Sequence, residues 1–314
     1  MQLCRAVPAF SFMKPVLGVD VGGTNIRMAL ITPAGDIVAQ QRENLNLAAC
    51  GHSAEQIIET LVQCLQPLAS QAASIGMGFP GFFHGQTGVL AASPNLPALN
   101  EVPLAEILAQ RLTCDVQVQN DALCAALGEF HFGAAKALDS VLHITLGTGV
   151  GGGLIMNGRP LYGEGGMACE FGHLCIDTTR DAHVCPCGKQ GCVEAYASAT
   201  AISRMYQQAR GESLSAFEIY QQACQGAPDA EAVFKQAGHA IGRAIAEVVK
   251  LLDMRHITIS GGVTGAWVLL HPAIIEAVEQ HVIPPQREKT SIVMSNLEDQ
   301  GGILGAASMA MGLG

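Results

Sequence analysis

The sequence predicts an α/β protein of two lobes, and three observations lead there. A strand–glycine turn–strand unit occurs twice, at Gly18–Ile31 and His143–Met156, as though one α/β half had been duplicated. Apolar strand-length runs are interleaved with helical runs whose apolar residues recur on one face. A cluster of zinc-ligand residue types, His173, Cys185, Cys187 and Cys192, lies within about twenty residues in the second half. The smaller lobe is expected over 1–119 with 300–314, and the larger, with the zinc-binding loop, over 120–299.

Pro15 to Asp20 reads as a strand ending on a carboxylate, Gly22-Gly23-Thr24 as a tight turn, and Ile26 to Ile31 as the returning strand. Asp36 to Gln41 reads as a third. Ser53 with Gln56 forms a capping box, opening a helix with Ile57, Ile58, Leu61, Leu65 and Leu68 on one face. Ser74 to Phe79 is a strand running into Pro80-Gly81. In Ser93-Pro94-Asn95-Leu96-Pro97 two prolines stiffen the loop around Asn95. Pro103 opens a helix through Leu112, and Asp115 to Gln119 is a strand leading to Asn120-Asp121 at the start of the next helix. Val141 to Leu146 is a strand, followed by Gly147-Thr-Gly-Val-Gly-Gly-Gly153 as a turn and by Leu154 to Met156. Helices are expected over Ala199–Arg210, Ser215–Cys224, about Ala230–Leu252, Pro272–Val282 and Gly302–Met311, with a strand His256–Ile259 ending at Ser260-Gly261-Gly262.

Composition narrows the function. With 49% hydrophobic and 14% charged residues the chain folds rather than staying disordered. A formal charge of −10 excludes a nucleic-acid partner, which needs a basic footprint. ATP is still admissible, because backbone N–H groups and a metal ion can neutralise its phosphates. Eleven cysteines without a framework spacing suit a reducing cytoplasm and one metal cluster. Residues 1–12 make a poor signal peptide and read as a dispensable tail or an upstream start. No stretch is apolar for the ~18 residues that a membrane span requires.

The paired glycine turns, each with Gly-Gly and Thr, point to phosphate binding by backbone N–H groups. Gly147 to Gly152 also satisfies G-x-G-x-x-G, but a strand and not a helix follows it, so the dinucleotide fingerprint fails its context test. No G-x-x-x-x-G-K-[ST] is present. Asn120-Asp121 is either a helix cap or a catalytic carboxylate site, and Asp20 either a turn residue or an acid near Mg²⁺. His84, His131, His143 and His239 have no partner spacing and read as core or surface residues.

In combination these motifs resemble the ROK family of repressors and sugar kinases: D-V-G-G-T-N-I-R at 20–27, S-P-N-L-P at 93–97, N-D at 120–121, L-G-T-G-V-G-G-G at 146–153, E-F-G-H at 170–173, C-x-C-G-x-x-G-C-x-E at 185–194 and S-G-G at 260–262. The resemblance implies the hexokinase–actin (ribonuclease H-like) ATPase fold, two α/β lobes with a cleft between them. It implies ATP-binding turns at Asp20, Gly22, Gly23, Thr24 and Asn25 and at Gly147, Thr148, Gly149, Gly151 and Gly152, with Gly261 and Gly262 near the adenosine. Asn95, Asn120, Asp121, Glu170, His173 and Glu194 would bind the sugar, Asp121 serving as general base. His173, Cys185, Cys187 and Cys192 would hold a structural Zn²⁺, and Mg²⁺ would accompany ATP.

The activity so implied is transfer of the γ-phosphoryl group to the 6-hydroxyl of a hexose, glucokinase-like, in a cytoplasmic homodimer. Allose, N-acetylmannosamine, N-acetylglucosamine and fructose remain alternative substrates. A sugar-responsive repressor is disfavoured, because the nineteen residues before Asp20 are too few for a helix-turn-helix. Two residues depart from the family pattern: Cys169 and Ser260 both stand where glycine is usual.

Overall fold

The structure, a computed structural model, describes residues 14–50 and 53–314; the tail expected over 1–12 lies outside them. In chain order it contains β1 (Val16–Val21), β2 (Ile26–Ile31), β3 (Ile37–Glu43), α1 (Leu47–Cys50), α2 (Ala54–Ala69), β4 (Ile75–Phe79), β5 (Phe82–Phe83), β6 (Leu90–Ala92), α3 (Leu104–Leu112), β7 (Val116–Asn120) and α4 (Asp121–Phe132). There follow β8 (Val141–Leu146), β9 (Val150–Met156), β10 (Arg159–Pro160), α5 (Glu194–Ala197), α6 (Ala199–Arg210), α7 (Ala216–Cys224), α8 (Pro228–Leu252), β11 (His256–Ser260), α9 (Trp267–His281), β12 (Ser291–Met294) and α10 (Gly301–Ala310). Two compact units result. One ends at Cys124 and is rejoined by Gly302–Gly314; the other runs Ala125–Gly301, so the chain crosses between them within α4 and at the head of α10.

The first unit is built on a sheet of order β3-β2-β1-β4-β7. Its β3, β2 and β1 form an antiparallel meander, and β4 and β7 add in parallel. The wholly buried strands β1 and β4, bearing Leu17, Val19, Ile75, Met77 and Phe79, are apolar on both faces, as a covered sheet requires. One face of α2, with Ile57, Ile58, Leu61 and Leu65, joins that core, and the predicted Ser53–Gln56 capping box closes its first turn.

The second unit repeats the plan. Its sheet has the order β10-β9-β8-β11-β12, with an antiparallel β10-β9-β8 meander and β11 and β12 added in parallel. The duplication expected from two hairpins therefore extends to the parallel strands beside them. The 25-residue α8 supplies Phe234, Ile241, Ile245 and Val249 to this core, which also takes in Phe171 and Tyr196 from the loop-rich segment between β10 and α6.

Two boundaries differ from expectation by four residues or more. Strand β9 starts at Val150 rather than Leu154, because the glycines after Val150 continue the ladder: Gly151 pairs with Thr145 and Gly152 with Ile144. Helix α9 starts at Trp267, not Pro272, because a 3₁₀ turn over Gly262–Ala266 runs straight into it. Pro272 is then an interior residue, and the helix forgoes one backbone bond there.

Candidate active site and metal centre

In the first unit the parallel strands β1, β4 and β7 end together, where open α/β sheets gather their chemistry. Asp20 pairs with Gly78, Gly78 with Gln119, and Phe79 with Asn120, so these residues share one edge. Asp20 is nearly buried, and its carboxylate accepts a 2.5 Å bond from Arg27 directly across the hairpin. The turn after it closes with the Gly22 N–H on the Asn25 carbonyl at 2.9 Å, leaving Gly23 and Thr24 exposed.

Of the two roles that the sequence left open at Asn120-Asp121, the helix cap falls to Asn120. The Asn120 amide oxygen accepts from the N–H groups of Ala122 (3.0 Å) and Leu123 (3.1 Å), capping α4, and its nitrogen donates to the Gly81 carbonyl at 3.1 Å. Asp121, half-buried, is thereby held as the first helical residue, with Oδ1 also accepting from the Ala122 N–H at 2.9 Å. The positive end of the helix favours its ionised form. Burial pushes the neighbouring Cys124 thiol well up, and the charges of Asp20 and Asp121 push it further. In the proline loop, Ser93 donates to the Pro80 carbonyl and Leu96 is buried, so Asn95 stands exposed at the tip.

In the second unit the glycine turn is confined to residues 147–149, with the Gly147 N–H on the Gly149 carbonyl at 3.0 Å. Helix α6 anchors it from behind: the Ala199 N–H donates to the Gly147 carbonyl and the Thr200 hydroxyl to that of Thr148. Gly151 and Gly152 are strand residues and not part of the turn; a Cβ on Gly152 would lie 2.6 Å from that of Phe171. Gly261, at φ +97°, packs its backbone on the end of β8, where a Cβ would meet the Leu146 carbonyl at 2.3 Å. Gly261 is thus seated directly beside the glycine turn.

Ser260, in place of the usual glycine, has a reason in this structure. Its hydroxyl lies 2.9 Å from Nε2 of His143, whose Nδ1 lies 2.8 Å from the Thr258 hydroxyl. Burial alone lowers the His143 pKa to about 3. Cys169, the other departure, sits at φ +67°, a left-handed conformation that explains why glycine is usual there.

The side-chain ligand atoms of His173, Cys185, Cys187 and Cys192 all lie within 4.8 Å of one another. Nδ1 of His173 is 3.8 Å from the Cys185 sulfur, and the Cys187 and Cys192 sulfurs are 3.7 Å apart. A tetrahedron of Zn–S bonds of ~2.3 Å has edges of about 3.8 Å. Ligand types and spacing therefore fit a four-coordinate ion. Burial pushes the Cys185 and Cys192 thiols up, so without a cation these buried sulfurs stay protonated.

The metal loop touches the glycine turn through Glu194. One carboxylate oxygen accepts from the Val150 N–H at 2.9 Å, and the other lies 3.7 Å from the Cys185 sulfur. A Cβ on Gly149 would come within 2.5 Å of the Glu194 carboxylate, so a larger residue there would have to displace that carboxylate. Glu170 is exposed at the head of a 3₁₀ turn that carries His173. Its pKa is raised, chiefly by desolvation, with Glu194 adding and His173 opposing.

Side chains outside the motifs brace this loop. The Tyr196 hydroxyl donates to Asp177 at 2.5 Å and accepts from the His183 N–H, with the His183 ring stacked on Tyr196 at 4.5 Å. The Tyr196 hydroxyl foremost, with the Thr179 N–H and hydroxyl, holds the Asp177 carboxyl down at about 2. Arg204 donates to the Val184 and Ala195 carbonyls. Arg27, opposite Asp20 in a six-residue hairpin register, was the one such partner within reach of a sequence reading.

Comparison with known proteins agrees with these motifs. The ROK family profile matches residues 16–312. A glucokinase of Thermotoga maritima is 32% identical over 309 residues, covering 94% of this chain and 96% of that protein. An N-acetyl-D-glucosamine kinase of Salmonella paratyphi A is 30% identical over 298 residues, covering 92% and 97%. The crystal structure of a ROK family glucokinase from Streptomyces griseus, in complex with glucose and AMPPNP, matches with a TM-score of 0.82 at 29% identity, covering 95% and 99%. Two glycine turns on duplicated sheets, a capped Asn-Asp at a strand end and a His-Cys₃ loop thus occur in a chain that belongs to the ROK family.

Proposed function

We propose that this protein is an ATP-dependent hexose kinase of the glucokinase type, converting ATP and hexose to ADP and hexose 6-phosphate. What carries the reading is Asp121, a carboxylate fixed at the head of α4 where β7 ends, in a chain resembling a kinase that binds glucose and AMPPNP. The carboxylate accepts the proton of the 6-hydroxyl as its oxygen forms a bond to the γ-phosphorus and the bond to the ADP oxygen breaks. Because the transition state is loose, positioning and charge neutralisation supply most of the catalysis. The family resemblance assigns the turns at Gly22–Asn25 and at Gly147–Gly149 to the phosphates, through their backbone N–H groups, and Gly261 and Gly262 to the adenosine. Mg²⁺, bound with the nucleotide, adds positive charge, and Asp20 would reach it through water. The same resemblance assigns Asn95, Asn120, Glu170, His173 and Glu194 to orienting the sugar.

The sugar is tested by ADP release over glucose, allose, mannose, fructose, N-acetylglucosamine and N-acetylmannosamine. Glucose should give the highest kcat/KM. A higher value for N-acetylglucosamine, the reading that the Salmonella relative supports, would replace glucokinase, and no ADP with any sugar would end the kinase reading.

His173, Cys185, Cys187 and Cys192 would hold a structural zinc ion, their four ligands leaving no open position for substrate. Its contribution would be to fix the loop that carries Glu170 and Glu194. Protein purified without added zinc should contain about one Zn²⁺ per chain. Chelation under reducing conditions should raise KM for the sugar by roughly 10–100-fold and leave KM for ATP nearly unchanged. Metal-free protein with full activity would rule the zinc site out.

A further inference from the structure

A fifth thiol stands beside the metal set. Cys175 and Cys192 form an antiparallel backbone bridge, flanked by the Ile176 N–H on the Gly191 carbonyl (2.8 Å) and the Val193 N–H on the Leu174 carbonyl (3.0 Å). Those two bonds lie on either side of the pair, which makes it the non-hydrogen-bonded type, with Cα atoms ~4.5 Å apart and side chains on one face. That separation lies within the span of about 4.4–6.8 Å that a disulfide bridges. Cys192 is buried and belongs to the four-residue set, whereas Cys175 is exposed and does not. The Cys175 sulfur now rests 3.5 Å from the Asp177 carbonyl and 3.8 Å from that of Gln190, so a turn about χ1 is what separates it from Cys192.

We infer that Cys175 is an oxidation site for small peroxides, and that it captures Cys192 as a disulfide and thereby discharges the zinc. The inference rests on the zinc reading above. The Cys175 thiol attacks one peroxide oxygen, the O–O bond breaks, and a sulfenic acid and one water result. The Cys192 sulfur, leaving the metal, then attacks the Cys175 sulfur; the S–S bond forms, the S–O bond breaks, and hydroxide departs. In sum one peroxide is reduced by two electrons and two sulfurs are oxidised. Metal-bound thiolates are weaker nucleophiles than a free one, and an accessible thiol beside a resolving cysteine is the usual arrangement of a redox sensor. With Cys192 withdrawn, only His173, Cys185 and Cys187 would remain to hold the ion, too few to retain it, and the segment carrying Glu194, two residues beyond Cys192, would lose its anchor.

The test uses the zinc-loaded, reduced protein exposed to hydrogen peroxide, with zinc release followed by a chromogenic chelator and disulfides mapped after trypsin. Peptide 137–180, which contains Cys175, should become linked to peptide 190–204, which contains Cys192, with about one zinc freed per link. Dithiothreitol with added zinc should reverse both. In Cys175→Ser the basal activity should stay unchanged, the link should vanish and zinc release should slow by about tenfold or more. Zinc released at the wild-type rate from Cys175→Ser, or a link joining peptide 181–189 to 190–204 instead, would overturn the inference, since Cys185 or Cys187 would then be the partner. Reduced protein with no zinc at the outset would overturn the metal reading itself, a result separate from a missing link.

Discussion

Replacing Asp121 by Asn should lower kcat by about 10²–10⁴-fold while leaving the fold and the affinity for ATP nearly unchanged. The two halves of that expectation have different origins. Asn retains an oxygen where Oδ1 accepts the Ala122 N–H at 2.9 Å, and the cap of α4 comes chiefly from Asn120, so the helix start survives. What is lost is the proton acceptor, because an amide is not basic at neutral pH. The glycine turns proposed to bind phosphate are separate from Asp121 in sequence, so KM for ATP should move little. Coupled ADP release gives kcat and both KM values, and a thermal melt checks the fold. Wild-type kcat in Asp121→Asn would remove this residue from the base role. A large rise in KM for ATP would mean that its charge chiefly positions the nucleotide.

How much of this was legible depended on whether a residue's partners lie near it in sequence. The two hairpins were legible because an apolar strand, a glycine turn and a returning strand occupy about fourteen contiguous residues. So was the clustering of His173, Cys185, Cys187 and Cys192, because residue type and spacing are local properties. The run from Gly147 to Gly153 was legible as a glycine turn but not in extent. Gly152 is small because Phe171 packs on it from nearly twenty residues away, a demand that no local pattern reveals. The Cys169 departure could be recognised as an anomaly, and the φ of +67° gives its cause. Ser260 could only be recognised as unusual, since its partner His143 lies on a strand 117 residues earlier. Tyr196 and Asp177, nineteen residues apart in a segment with little regular structure, gave no signal at all.

The His143–Ser260 contact carries the second large expected effect, a loss of stability in acid. Imidazole in an unfolded chain has a pKa near 6.5, whereas burial holds that of His143 at about 3. Between those values the unfolded chain binds a proton that the folded chain refuses, so stability is complete above about pH 6.5 and falls as pH drops toward 3. At ~1.4 kcal/mol per pH unit the loss reaches about 2 kcal/mol by pH 5 and about 4 kcal/mol by pH 3. The cause is desolvation, because both partners are neutral hydroxyls that can serve either tautomer but supply no negative charge to an imidazolium. His143→Gln should retain a hydrogen bond toward Ser260 and remove the titration. It should therefore be less stable than wild type at pH 7 yet lose about 2 kcal/mol less between pH 7 and pH 5. Trp267 is the single tryptophan and lies in the same unit as His143, so its fluorescence in urea reports the unfolding of that unit alone. Other titrating groups, the metal loop included, are common to both proteins and cancel in the comparison of slopes. Parallel pH dependence in wild type and His143→Gln would show that this histidine accepts a proton in the folded state.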